Sequence, residues 1–254
     1  MSAVSLWPTP WLAHGRRSKD AEYRLFTFAC AGGGASSYKG WNALIPENVD
    51  ICPIQLPGRE TRVADDFVVD LHDMVDGVAE AIEPFLDLPF ALFGHSLGGL
   101  LAFEVARDLR HHGCCPEALV VAGTPAPHLP RTRPPVHELG EDALLEYLVG
   151  LDGTPEEILK QEWLLRMYLP VLRADMKALE TYLHARDSPL DTPILALYGR
   201  EDSQVSEASI HAWSVHSTRP LQTHGFTGGH FFVRESTGPL VDCIATHLGI
   251  QPRP

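Results

Sequence analysis

The chain has 254 residues, 44% of them hydrophobic and 21% charged, a balance that places it among globular proteins and excludes bulk disorder. Acidic residues number 33 against 20 basic ones, giving a formal net charge of −13, which argues against a surface that grips nucleic-acid phosphates. No apolar run approaches the roughly 18 residues of a membrane-spanning helix, so no membrane partner is expected.

The opening segment, 1–22, carries no continuous apolar core and no small-residue cleavage site, so no secretory signal is read there. Arg16-Arg17 is followed by Lys19, Asp20 and Glu22 instead of the apolar stretch of a twin-arginine signal. The cysteines are Cys30, Cys52, Cys114, Cys115 and Cys243, odd in number and without a CxxC pair. Reduced thiols in a cytoplasmic protein are expected, with no metal and no cofactor.

Residues 23–30 (YRLFTFAC) read as a buried strand, followed by a glycine-rich turn over 31–34 and a short helix over 36–44. A second strand covers 49–55. Over 70–86 the apolar residues Leu71, Met74, Val75, Val78, Ile82 and Phe85 recur at helical spacing. A strand at 90–93, a helix at 97–111 and a strand at 118–122 follow. Later strands lie at 194–198 and 221–226, with a helix near 206–215 between them and a last helix near 239–248. Strands alternating with helices argue for an α/β fold, a mostly parallel sheet with helices on both faces.

One stretch breaks the alternation. Between Thr124 and Pro189 a proline-rich loop (TPAPHLPRTRPP) leads into helical patterns only, at 141–149 and within 155–184. A helical insertion of this kind, 124–189, reads as a lid over the site, and the core is then 23–123 with 190–254.

Residues 94–98 are Gly-His-Ser-Leu-Gly, a GxSxG pattern that a random chain of this composition would show about 0.09 times. An apolar strand leads in and a helix leads out, the context of a nucleophile elbow. Gly94 and Gly98 spare the side chains that would collide where strand and helix close on each other. Ser96 is therefore the candidate nucleophile. A serine hydroxyl needs a base. Of the 13 histidines, His230 lies in a glycine-rich loop after the last strand, the place of the base in the α/β-hydrolase chain order Ser…Asp…His. Its rival His224 falls inside a strand pattern. His95, beside the nucleophile, reads as packing or tuning, and His72, His111, His112, His137, His184 and His211 as surface or helix residues. The orienting acid follows the strand at 194–198, where Glu201 and Asp202 both qualify and Asp202 is preferred. The oxyanion donors would be the amide of Leu97 and one from the loop Cys30-Ala31-Gly32-Gly33-Gly34. That loop is no phosphate cradle, for it lacks both a Walker lysine and GxGxxG spacing.

These residues together resemble the type II thioesterases, the free-standing editing enzymes of polyketide and non-ribosomal peptide synthesis, which are similar in turn to the vertebrate medium-chain fatty-acyl thioesterase. The similarity runs over 24–248. FACAGGGA at 28–35 looks like the first-loop motif, QLPGRETR at 55–62 the Pro-Gly-Arg-Glu segment, GHSLGG at 94–99 the elbow, and LPVLRADMKALETY at 169–182 the lid helix. Ala29 stands where proline is usual and Cys30 where histidine or tyrosine is common. The resemblance implies an α/β-hydrolase fold and a Ser96–His230–Asp202 triad, with Ala31 and Leu97 as the oxyanion amides. It also implies an acyl thioester substrate on a carrier protein bearing phosphopantetheine. Arg131, Arg133, Arg166 and Arg173, in or near the insertion, are candidates for a basic docking patch, or else a solvated helix face. The alternative reading is a stand-alone carboxylesterase or lipase acting on small esters, since the triad serves both.

Overall fold

The computed structural model describes residues 7–15, 17–150 and 161–250. Six strands form one sheet: β1 (Tyr23–Phe28), β2 (Val49–Pro53), β3 (Phe90–His95), β4 (Ala118–Ala122), β5 (Ile194–Gly199) and β6 (Gln222–Phe226). Their spatial order is β2-β1-β3-β4-β5-β6 and every neighbouring pair is parallel. β1 to β4 are buried throughout, which is why they read as near-continuous apolar runs instead of alternating ones. Alternate residues serve opposite faces. In β3, Phe90 and Leu92 join one apolar cluster, and Ala91 and Phe93 the other.

The helices follow from the same accounting. α1 (Leu71–Ile82) buries Leu71, Met74, Val75, Val78, Ala79 and Ile82, and the Asp70 side chain caps it by accepting from the amide of His72 at 2.8 Å. α2 (Leu97–His111) packs beside α1 on that face. On the opposite face lie Tyr38, Trp41 and α7 (Thr237–His247). Between β4 and β5 the chain carries α3 (Glu141–Val149) and α4 (Glu162–Thr181). Leu144, Leu148, Leu165, Leu169, Leu172 and Met176 of these two helices form a separate buried cluster.

The differences from the sequence reading are local. The helix expected over 36–44 is two 3-10 turns, Ala35–Tyr38 and Trp41–Ala43, separated by Lys39 and Gly40. The helix near 206–215 is a short α5 (Glu207–His211) continued by a 3-10 turn, Ala212–His216. Of the helical pattern at 155–184, residues 155–160 lie outside the described residues, α4 covers Glu162–Thr181, and Tyr182 turns to extended backbone. Among the described residues, no helix is long and apolar enough to cross a membrane.

The chain runs from β1 to β2 on one side and then crosses back over β1 to β3. The loops after β1 and β3 therefore part in opposite directions, and a crevice opens at the C-terminal ends of these two strands. The glycine loop and the GxSxG turn both sit there.

Candidate active site

Ser96 occupies the turn between β3 and α2 with φ 55° and ψ −117°, a region that a side-chain-bearing residue enters only under constraint. The constraints are visible. The amide of Ser96 donates to the carbonyl of Ala122 at 2.8 Å, and its own carbonyl accepts from the hydroxyl of Thr124 at 2.9 Å. The flanking glycines allow no side chain. A Cβ on Gly94 would lie 2.0 Å from the carbonyl oxygen of Gly98, and one on Gly98 would lie 2.2 Å from that of Phe28. Leu97 opens α2, and the first amides of a helix have no partner within it. They point at the same space as the positive end of the helix dipole.

His230 follows β6 in the loop before a short helix, α6 (Phe232–Glu235). Its Nδ1 lies 2.8 Å from Oδ2 of Asp202, whose side chain is fully buried. The other oxygen of Asp202 accepts from the amides of Gln204 (2.7 Å) and Val205 (3.2 Å). Burial alone would raise the Asp202 carboxyl, but its bond to His230 and those two amides outweigh it, and the group is held below the usual carboxylate range. Asp202 is thus the carboxylate brought to His230. Glu201, its rival, turns instead to the amide of Gly228, and His224 stays within β6.

His95 is buried, and its ring packs on that of His230 with centroids 5.2 Å apart. Burial, and then the neighbouring His230, push its pKa down to about 3. A neutral His95 ring donates from Nε2 to the carbonyl of His230 at 2.8 Å. A cavity of about 180 Å³ reaches His95 and Cys30 from the side of Tyr38, Trp41 and Val233, and burial raises the Cys30 thiol.

The glycine loop forms a tight turn. The amide of Gly33 donates to the carbonyl of Cys30 at 2.8 Å, and Gly32 has φ 76°. Positive φ at the third position is the signature of a type II turn, which glycine enters at no steric cost. Ala31 is the second residue of that turn. The loop is held from outside by residues whose roles the sequence reading did not find. The amide of Gly32 donates to Oδ2 of Asp175 at 2.6 Å, and the carbonyl of Gly32 accepts from the hydroxyl of Tyr168. Arg59 binds Asp175 through two nitrogens, at 2.5 and 2.7 Å, and also donates to the carbonyl of Gly33 at 3.2 Å. The signal was present as the segments LPGRE and LRAD, but nothing in either one says that it meets the other.

Of the four arginines that are candidates for a docking patch or a solvated helix face, three have partners within the chain. Arg166 is paired with Glu141, Asp142 and Glu162 at 2.6–3.0 Å. Arg173 donates to the carbonyls of His137 and Leu139, and Arg133 to that of Ser203. Burial lowers the Arg131 guanidinium. Among the described residues, no group of three or more histidine, cysteine or carboxylate side chains is placed to hold a metal ion.

A thioesterase domain model matches residues 23–248, nearly the whole of this architecture. The chain belongs to the thioesterase family. Over 98% of its length the thioesterase is 37% identical to a protein named linear gramicidin dehydrogenase LgrE from Brevibacillus parabrevis, covering 96% of that protein. It is 35% identical to thioesterase PikA5 of Streptomyces venezuelae, over 94% of this chain and 85% of that one. Among solved structures it resembles the type II thioesterase BorB from the borrelidin biosynthetic cluster. The TM-score is 0.84 and the identity 37%, over 91% of this chain and 94% of BorB. Its fold is that of the α/β-hydrolase type II thioesterases, and its structural relatives include proteins of the colibactin and yersiniabactin NRPS/PKS pathways. The dehydrogenase in the first relative's name finds no dinucleotide cradle here: the loop after β1 lacks GxGxxG spacing and leads into a four-residue 3-10 turn.

Proposed function

We propose that this thioesterase hydrolyses acyl groups from phosphopantetheinyl carrier domains of a polyketide or non-ribosomal peptide synthase, removing stalled or aberrant units through an acyl-Ser96 intermediate. The observation that carries the reading is the strained Ser96 at the head of α2, with the His230–Asp202 pair packed against its neighbour His95. Homologues from antibiotic-type biosynthetic clusters support the carrier-bound substrate.

In this mechanism His230 is the general base. Asp202, bonded to Nδ1, fixes the tautomer that leaves Nε2 to accept the proton of Ser96. As Oγ attacks the thioester carbonyl, its proton passes to Nε2 and the carbonyl oxygen becomes an oxyanion. The amides of Ala31 and Leu97 stabilise that charge, each by about 3–4 kcal/mol as in comparable sites. The intermediate collapses and expels the thiolate, whose thiol has a pKa of about 8.5 and which takes the proton from Nε2, so that His230 is neutral again. Water then attacks the acyl-serine as His230 takes one of its protons, and that proton passes to Ser96 Oγ as the acid is released. The segment 124–189, with α3 and α4, covers the site as a lid on the core formed by 23–123 and 190–254. A cytoplasmic location goes with the carrier partner.

The test is hydrolysis of one acyl group on three carriers: a phosphopantetheinyl carrier protein, coenzyme A and a simple alcohol ester. Each is run with wild type and Ser96→Ala. Preference for the carrier-bound thioester, abolished in Ser96→Ala, supports the reading. Equal or faster turnover of the simple ester overturns the carrier partnership in favour of a general carboxylesterase.

A further inference from the structure

The two most specific sequence segments, LPGRE and LRAD, have no part in the chemistry described above, yet their charged residues meet in the interior. The side chains of Arg59 and Asp175 are 5% and 0% exposed and form a two-nitrogen, two-oxygen pair. A buried pair of this kind is costly to desolvate and weak evidence for stability alone. Its position indicates a different use. Asp175 also accepts the amide of Gly32, Tyr168 from the same helix donates to the carbonyl of Gly32, and Arg59 donates to the carbonyl of Gly33. Gly32 is therefore gripped at both ends of its backbone by α4. It can carry no side chain there, since a Cβ would lie 2.5–2.9 Å from the Tyr168 phenol and its φ is positive. The residue before it is Ala31.

We propose that Tyr168, Asp175 and Arg59 are positioning residues that clamp the Gly32 backbone between α4 and the 57–60 segment and so aim the Ala31 amide at the developing oxyanion. The inference rests on the reading of Ala31 as an oxyanion donor. It makes α4 a fixed brace over this loop, with any opening of the insertion confined to other parts of it. A donor displaced by a fraction of an ångström weakens in the transition state far more than in the ground state, so the effect falls on kcat.

The experiment compares Tyr168→Phe, Asp175→Asn and Arg166→Ala with wild type on a small acyl-pantetheine thioester, whose turnover needs no carrier docking. Arg166 ties α4 to α3 at the exposed face and touches nothing in the loop, so its variant reports on general loosening of the helix. Thermal melts accompany the kinetics. The second readout is affinity for a trifluoromethyl ketone analogue of the substrate, which forms a tetrahedral oxyanion on Ser96. Tyr168→Phe is expected to lower kcat about tenfold and Asp175→Asn about a hundredfold, with KM within about threefold of wild type. Affinity for the ketone should fall by the same factors, and Arg166→Ala should match wild type in both. If Asp175→Asn does not fold, Tyr168→Phe decides, because it removes one hydroxyl from a side chain that is 37% exposed. Unchanged kcat in a folded Tyr168→Phe overturns the proposal. So does a kcat loss with ketone affinity intact, or an equal loss in Arg166→Ala. A Ser96→Ala control separates the two layers: if it retains full activity the triad reading falls and the brace with it, whereas a silent Ser96→Ala beside a fully active Tyr168→Phe removes the brace alone.

Discussion

His95 and His230 are joined twice, by rings 5.2 Å apart and by a 2.8 Å hydrogen bond from the His95 Nε2 to the carbonyl of His230. The residue before the nucleophile thus holds the backbone of the residue read as the base. Burial keeps the ring neutral with a pKa of about 3, and the bond then fixes it in the tautomer with the proton on Nε2. Replacement by glutamine retains a donor, whereas phenylalanine fills the space without one. His95→Phe should lower kcat by about tenfold or more through misplacement of His230, and His95→Gln should keep most of it. Steady-state kinetics on the two variants decide the point, and equal losses would reduce His95 to packing.

The same neutral histidines make the fold sensitive to acid. His95 and His216 are both buried, with pKa values lowered to about 3 and about 4, chiefly by burial. His216 also faces His128, His184 and Arg107, all of which disfavour its charge. In the unfolded chain a histidine takes its proton near pH 6.5. Between that pH and the folded value the unfolded state binds more protons, so stability falls as pH falls. The slope is about 1.4 kcal/mol per pH unit for each of the two histidines. Asp202, held below its ordinary value, adds a loss only below about pH 4. Urea midpoints should be flat between about pH 7 and 8, below the titration of unfolded thiols, and drop steadily from about pH 6.5 to 4, with a shallower drop in His216→Phe. A midpoint that does not move between pH 7 and 5 would contradict this account.

Most of the sheet was legible because β1 to β4 are buried on both faces and announce themselves as apolar runs; the helices at Leu97–His111 and Glu141–Val149 match their expected limits. Ser96 was legible through its glycines, since the turn tolerates little else. The histidine and the acid were chosen by chain order, Asp202 over an adjacent Glu201 that chemistry alone could not exclude, and those two side chains, His230 and Asp202, lie 2.8 Å apart. What stayed hidden depends on distance in sequence. Arg59 and Asp175 are 116 residues apart, and no local periodicity records that they meet. For the same reason the sequence left Arg166, Arg173 and Arg133 open between a docking patch and a solvated face: their partners at Glu141, His137 and Ser203 lie 25, 36 and 70 residues away. The histidine contacts among His128, His184 and His216 also join separate segments, which is why His184 read as an ordinary surface or helix residue.

The elbow glycines separate close approach from mere flexibility. Gly94→Ala would place a methyl 2.0 Å from a main-chain oxygen that cannot swing aside. It should yield little folded protein and no detectable activity. Gly40 has ordinary negative φ, and nothing lies within 4 Å of an added Cβ. Gly40→Ala should be neutral or stabilising by about 0.4–1 kcal/mol, through the unfolded chain. Expression, melting temperature and turnover of the two variants make the comparison, and a stable, active Gly94→Ala would mean that the strand and helix can part at the elbow.

The Arg59–Asp175 pair allows stability and catalysis to be separated. Removing either partner leaves a buried charge alone, and Arg59→Met or Asp175→Leu should each cost about 3–5 kcal/mol in urea unfolding. The double replacement removes both charges and substitutes apolar volume, so most of that loss should return. Activity should not return with it, because leucine cannot accept the Gly32 amide and methionine cannot hold the Gly33 carbonyl. The expected double variant is thus a well-folded enzyme whose kcat stays about a hundredfold low while KM is little changed. If its kcat recovered along with its stability, the pair would be a structural strut and no more. The buried charges are retained, on this argument, because an apolar pair could fill the same space but could not orient a peptide group beside the oxyanion.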